Sequence, residues 1–166
     1  MSAAARPVIK WTILGGVISF VVSASASVLG TVLRVHAFVY ERTHGLIGHR
    51  VLGVPCLMLR TTGRKSGQTR VNSLVYAKDG DRYIVVASKG GDPKAPAWLL
   101  NLRGKPTVEV QIGRRRSPAS AVEIGSSDPE YPGLWKLVNE KNDNRYDAYQ
   151  KKTTRRIPLV ALTPAA

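Results

Sequence analysis

Two alternating runs, Arg70–Ala77 (RVNSLVYA) and Arg82–Ala87 (RYIVVA), flank the dipeptide Asp79-Gly80. Alternation at period two marks a strand with one buried face. Asp-Gly between two such runs predicts a hairpin with a type I′ turn. That hairpin commits this part of the chain to antiparallel pairing, and the rest of the body fits the same plan. VPCLMLRT (54–61) is an apolar run of strand length, followed by a turn at Gly63–Gly67. TVEVQI (107–112) alternates, and 116–124 is predicted to pair with it across Gly113. IPLVAL (157–162) closes the chain as a strand, with Pro158 placing it at an edge or a bulge. Two helical segments interrupt the strands. In Pro96–Arg103, Pro96 suits the first helical position, Gly104 the position past the end, and Pro106 blocks continuation. Asp128–Lys151 has helical spacing with a break near Asn142–Asn144. Six short strands with two helical insertions and no repeated strand–helix–strand unit predict a small antiparallel barrel.

A different segment precedes this body. Trp11 to Leu33 is a stretch of 23 residues without a charge, long enough to cross a bilayer as a helix. Gly15, Gly16 and several hydroxyl residues dilute its hydrophobicity. Three readings stand: a membrane-spanning or membrane-embedded anchor, a signal peptide, or a helix packed on protein. Arg6 and Lys10 before a short apolar core, with Ala24-Ser25-Ala26 after it, fit a signal peptide. The pattern runs on through Arg34, His36, Phe38 and Tyr40 without a breaker, which fits one long helix better. The expected organisation is an apolar N-terminal helix and membrane anchor over 1–44, then a basic body over 45–166, with Gly45 and Gly48 at the junction.

The chain is strongly basic: 25 Lys and Arg against 11 Asp and Glu give a net charge of +14 over 166 residues. Such a surface meets something anionic. One cysteine, Cys56, excludes an internal disulfide and a cysteine-rich zinc site; its place in an apolar strand predicts inert core. The three histidines all precede residue 50, which leaves the body without a Ser-His-Asp constellation. No metal site is expected. Between Thr61 and Arg116 there are 12 basic residues and four acidic ones. Two turns within this region carry a phosphate-binding chemistry. In TTGRKSGQTR (61–70), two glycines let the backbone bare its N–H groups, Arg64, Lys65 and Arg70 supply cations, and Ser66 supplies a hydroxyl. In ASKGGDPK (87–94), Ser88 and Lys89 leave a strand as two glycines open the backbone. The helix that follows points its N-terminus at the same place. A solvated charged turn is the plainer reading of either segment alone. Trp98 and Asn101 on the short helix suit a flat ring and its edge, or core packing and a helix–loop bond. Tyr146 and Tyr149, at i and i+3, share one helical face. Arg114-Arg115-Arg116 at a predicted hairpin suits a lipid head group or a nucleic-acid phosphate, or a solvated turn near an anionic membrane.

Three segments taken together, TTGRKSGQTRVNSLVY (61–76), YIVVASKGGDPKAPAWLLNL (83–102) and RYDAYQKKTTRRIPLV (145–160), resemble the deazaflavin (coenzyme F-420)-dependent nitroreductase and quinone reductase family. The resemblance is close over roughly 50–112 and 145–162, loose over 113–142, and does not extend to the apolar head. It implies a split β-barrel, mainly β with helices, and hydride transfer from reduced coenzyme F-420 to a quinone or nitroaromatic acceptor. It implies that Arg64, Lys65, Ser66 and Arg70 hold the coenzyme's phosphate and acidic tail. Val71, Asn72 and Ser73, then Val86, Ala87, Ser88 and Lys89, then Ala97, Trp98, Leu99 and Asn101 would complete the cofactor site. Tyr146 would face the acceptor, with Tyr149 beside it and Ser88 as a third catalytic candidate. Family members often have proline where Ser73 stands and a larger side chain where Ala97 stands, and both departures bear on acceptor preference.

The partners so implied are a small-molecule acceptor such as a quinone and a membrane surface, with the catalytic body in the cytoplasm. Alternatives are a split barrel using flavin mononucleotide, or a basic barrel that binds a cofactor or nucleic acid without catalysis. Nucleic acid is disfavoured, because the basic region offers only Tyr76, Tyr83 and Trp98 for stacking.

Overall fold

The computed structural model of this protein describes residues 50–51 and 54–165. The apolar helix, the signal-peptide reading and the junction at residue 44 all lie outside the described residues. Within them are seven strands: β1 (Arg50–Val51), β2 (Val54–Thr62), β3 (Thr69–Asp79), β4 (Arg82–Val86), β5 (Thr107–Ile112), β6 (Arg115–Ile124) and β7 (Leu159–Pro164). Helix α1 (Ala97–Gly104) lies between β4 and β5, and α2 (Tyr131–Lys141) and α3 (Arg145–Gln150) lie between β6 and β7. All pairings are antiparallel. Neighbours run β2-β3-β4-β7-β6-β5, and β5 returns to β2, which closes a six-stranded barrel. The closing register sets Leu59 opposite Val110 and Met58 opposite Gln111.

The pleat sorts the apolar residues into two cores. Leu57 and Leu59 on β2, Val85 on β4, Val110 on β5 and Val160 and Leu162 on β7 point inward, and α1 caps them with Trp98, Leu99 and Leu102. The alternate residues of β4 and β7, Ile84, Val86, Leu159 and Ala161, face outward against Leu134, Val138 and Tyr146 of α2 and α3. These two strands are buried on both sides, which is why RYIVV and LVAL read as nearly continuous apolar runs. Each fully buried Leu, Ile or Val contributes about 1.5–3 kcal/mol relative to an exposed one.

Several local expectations shift. The hairpin after β3 turns on Gly80 and Asp81, with Asp79 paired to Arg82. Gly80 has φ +56 and Asp81 has no positive φ. A single positive φ at the first central residue belongs to a type II′ turn, so the type I′ expectation is corrected. Pro96 is the N-cap of α1, one position earlier than expected, in extended backbone at ψ 146. Gly104 is the last helical residue, and Lys105 is the cap. Strand β7 is flanked by β4 and β6, so it is not an edge. Pro158 escapes the conflict by lying just before the strand, where its carbonyl accepts the Ala87 N–H at 3.0 Å. The expected break in the second helical segment is real. Asp143 and Asn144 take φ of 51 and 55, a left-handed conformation that short polar side chains tolerate.

Strands β2 and β4 run in the same direction. The β2–β3 turn and the loop after β4 therefore leave the barrel at the same end, the end that α1 covers.

Candidate active site

At that end the β2–β3 turn is shaped by its own backbone. The Gly63 N–H donates to Gln68 O, and the Gly67 N–H donates to Gly63 O, both at 2.8 Å. Gly67 sits at φ +68. A Cβ on Gly63 would come within 2.9 Å of Ser66 Oγ and 3.1 Å of Gln68 O, so a side chain there would require Ser66 and the turn to shift. Asn101 of α1 fastens this turn to the helix. Its Oδ1 accepts the Arg64 N–H, and its Nδ2 donates to Thr61 Oγ1, both at 3.1 Å. The amide is buried, as both bonds require.

The turn, β3 and α1 enclose a cleft of about 600 Å³. Arg64, Lys65, Ser66, Arg70, Val71, Asn72, Ala97, Trp98 and Asn101, nine of the residues named from the sequence, line it together with Gly63 and Thr69. Among the described residues, Arg64, Lys65 and Arg70 are exposed and make no ion pair with an acid, so the cleft keeps its positive charge. The next residue along β3, Ser73, has a buried Oγ without a hydrogen-bond partner. A buried hydroxyl left unsatisfied is unfavourable, but Ser73 pairs with Met58 on the face of β3 opposite Asn72 and is not one of the residues that line the cleft. Cations without acidic partners among the described residues, set around a glycine turn beside Trp98 and Asn101, fit a long anionic ligand with a ring system.

The other named residues lie elsewhere. Val86 and Ala87 point into the two cores, and Leu99 is fully buried under the barrel end. Ser88 is 8% exposed and begins a short 3-10 turn over Lys89–Gly91. Lys89 is tied to Asp92 at 3.2 Å. This carboxylate is held below the usual range, first by the backbone N–H of Lys94 and then by Lys89. Helix α3 packs against this turn. A Cβ on Gly91 would lie 2.6 Å from the Tyr149 carbonyl, so only glycine permits the approach.

Tyr146 and Tyr149 do share a face, with ring centroids 6.1 Å apart. Tyr146 is only 5% exposed, and burial, more than its neighbour Tyr149, pushes its phenol well above the ordinary range. It is therefore a neutral donor at any physiological pH, and its hydroxyl makes no hydrogen bond among the described residues. Lys152 sits 5.6 Å over the Tyr149 ring. Asp147 anchors the helix from its other side. Its Oδ1 accepts Trp135 Nε1 at 2.8 Å and Asn139 Nδ2 at 2.9 Å, and its own N–H donates to Asn139 Oδ1 at 3.2 Å.

Sequence reasoning passed over Asp147, Asn139, Gln150 and Arg155, which fix this part of the site. The paired arginines of TTRRIPLV were the one available signal for Arg155. Among the described residues no group of His, Cys, Asp or Glu could hold a metal ion. No described helix is long and apolar enough to cross a membrane.

Comparison with known proteins identifies relatives of this chain. The chain is 51% identical over 132 residues to the F420H(2)-dependent quinone reductase Rv1261c of Mycobacterium tuberculosis, covering 79% of this chain and 89% of that one. A solved structure of an F420-H2 dependent reductase, FDR-A, is 40% identical, with a TM-score of 0.59 over 65% of this chain and 93% of that chain. The heme storage protein HutZ of Vibrio cholerae shares the fold alone, at 14% identity and a TM-score of 0.53 over 81% of this chain and 91% of that one. The family model described as F420H(2)-dependent quinone reductase matches residues 32–164, and the chain belongs to that family.

Proposed function

We propose that this protein transfers a hydride from reduced coenzyme F-420 to a quinone. The observation that carries this reading is the cleft at the barrel end. There Arg64, Lys65 and Arg70 stand without an acidic partner among the described residues, around a glycine turn and beside Trp98 and Asn101. The coenzyme, when bound, supplies the hydride from its ring carbon.

The chain's own residues bind, orient and shield. Arg64, Lys65 and Arg70 would hold the phosphodiester and carboxylate tail, with the Ser66 hydroxyl as a further donor. Asn72 would meet the polar edge of the ring from β3. Ser88 and Lys89 would approach from the loop after β4. Tyr146, neutral and with a free hydroxyl, would donate to the acceptor oxygen as negative charge develops there. Tyr149 beside it would shape the acceptor's place. Nitroaromatic acceptors suit the same donor, since a nitro oxygen takes up charge in the same way. The uncharged stretch Trp11–Leu33 would hold the protein at the cytoplasmic face of the membrane, where a lipid-soluble quinone is reached.

Steady-state oxidation of the reduced coenzyme by a short-chain quinone tests the reaction. Saturable turnover is expected, and its absence with either a quinone or a nitroaromatic acceptor would refute the reading. Deleting residues 1–33 should release the protein to the soluble fraction with coenzyme binding intact. A native mature chain beginning near Ser27 would instead make the stretch a signal peptide.

A further inference from the structure

Arg155 lies between α3 and β7 and belongs to neither. Its Nη1 and Nη2 both donate to the Ala87 carbonyl at 3.2 Å. The same Nη2 reaches the carbonyls of Ser88 and Asp92, also at 3.2 Å. Three carbonyls of one loop thus converge on one guanidinium, 63 to 68 residues further along the chain.

The loop needs an outside partner. Lys89, Gly90 and Gly91 take φ of 48, 67 and 87, three consecutive residues in left-handed backbone. Such a run cannot join a strand ladder or extend a helix, and its internal bonds are few: Gly91 N–H to Ser88 O at 3.0 Å and Asp92 N–H to Lys89 O at 3.3 Å. Lys89 pays a conformational penalty there that a glycine would not. Arg155 is itself held. Its N–H donates to Thr153 Oγ1 at 3.2 Å, and its carbonyl accepts Gln150 Nε2 at 2.9 Å. Gln150 is the last residue of α3, and its Oε1 accepts the Ile157 N–H at 3.0 Å. A continuous set of bonds therefore runs from α3 through Gln150 and Arg155 to the loop, while Gly91 packs directly on the Tyr149 carbonyl.

We propose that Arg155 is a positioning residue, which locks the loop 87–92 in the one shape that presents Ser88 and Lys89 to the coenzyme at a fixed spacing from Tyr149. The part of this concerning the coenzyme rests on the reading of the site given above. A planar fork can reach several carbonyls at once, whereas a lysine ammonium offers one point charge, so the conservative replacement is not equivalent.

The test compares full-length Arg155→Ala and Arg155→Lys with the wild type by two readouts. The first is amide hydrogen exchange of residues 88–92 in the protein alone. Exchange at least tenfold faster is expected in Arg155→Ala, with the barrel strands unchanged and Arg155→Lys intermediate. The second is a fluorescence titration with oxidised coenzyme F-420. The dissociation constant should rise at least tenfold in Arg155→Ala and return toward wild type in millimolar methylguanidinium. Wild-type exchange over 88–92 would overturn the proposal. So would a loosened or less stable protein that keeps wild-type affinity, because Arg155 would then brace the fold only. If Arg155→Ala fails to fold, the same readouts on Arg155→Lys decide. If the wild type itself binds no coenzyme, the proposed function falls, and the exchange measurement still decides whether Arg155 holds the loop.

Discussion

Asn101 fastens the β2–β3 turn to helix α1 at the wall of the cleft through two hydrogen bonds, and its removal has a magnitude that can be worked out. Replacement by alanine leaves Thr61 Oγ1 and the Arg64 N–H without their partners. Thr61 is 2% exposed, so its hydroxyl gains no easy substitute. The Arg64 N–H faces the open cleft and can turn to water. Each bond contributes about 1 kcal/mol net, and an orphaned buried group adds about 1 kcal/mol or more. The sum is a loss of about 2–3 kcal/mol. For a chain of this size each kcal/mol moves the melting temperature by about 2–4 °C, so a fall of about 4–12 °C is expected. Urea unfolding followed by tryptophan fluorescence gives the free energy, and a coenzyme titration of the folded variant gives the second consequence. With the turn no longer fastened to α1, Arg64 and Lys65 lose their fixed spacing, and affinity should fall with stability. Thr61→Val removes one bond but leaves the buried Asn101 Nδ2 without its acceptor, so it should lose about 2 kcal/mol of stability with little change in affinity. An Asn101→Ala protein as stable as the wild type, or one destabilised but binding the coenzyme normally, would refute the reasoning.

Tyr146→Phe should keep coenzyme affinity and lose about 2.7–4 kcal/mol of transition-state stabilisation with quinone acceptors, by analogy with oxyanion-hole donors, with Tyr149→Phe the smaller effect; equal loss of binding and rate would make Tyr146 structural. Gly91→Ala should be strongly destabilising, because its Cβ would meet the Tyr149 carbonyl at 2.6 Å, and a thermal melt equal to wild type would contradict that packing. Burial pushes the Tyr131 phenol up to about 12, while its hydroxyl donates to Ile157 O at 2.7 Å. A raised folded value means the unfolded chain releases its proton first, so this contribution is full below about pH 10 and is lost between about pH 10 and 12. Urea midpoints across that window should fall more steeply for the wild type than for Tyr131→Phe.

Much of the body was legible because local signals and long-range packing agreed. Alternation in Thr107–Ile112, the glycine at 113 and the Pro96, Gly104 and Pro106 punctuation around α1 each reflect a backbone requirement satisfied within a few residues. The Asn142–Asn144 break was legible for the same reason. Barrel closure was not readable at the level of residues, because the pairing of Leu59 with Val110 is set by the curvature of the whole sheet. The position of β7 was misread from Pro158, a local feature that says nothing about which strands flank the segment. In the cleft, the cationic turn was visible as three like charges around two glycines, but a solvated charged turn was the plainer reading of that segment alone, and only its combination with the other segments pointed to a ligand. Asn101 carried two open readings, and the structure realises the helix–loop bond while leaving the residue on the cleft wall. Arg155 left only the paired arginines at 155 and 156 as a signal, because its partners are main-chain carbonyls, which leave no pattern in side-chain identities.

The central claim is that the turn at Arg64 and Lys65 holds the anionic tail of coenzyme F-420. A fluorescence titration of the full-length protein with oxidised coenzyme tests it most directly, run beside Arg64→Ala with Lys65→Ala at low and high salt. Saturable binding by the wild type is expected, weakened strongly in the double variant, with the gap between them narrowing as salt screens the attraction. Equal affinity of the two proteins at low salt would contradict the account.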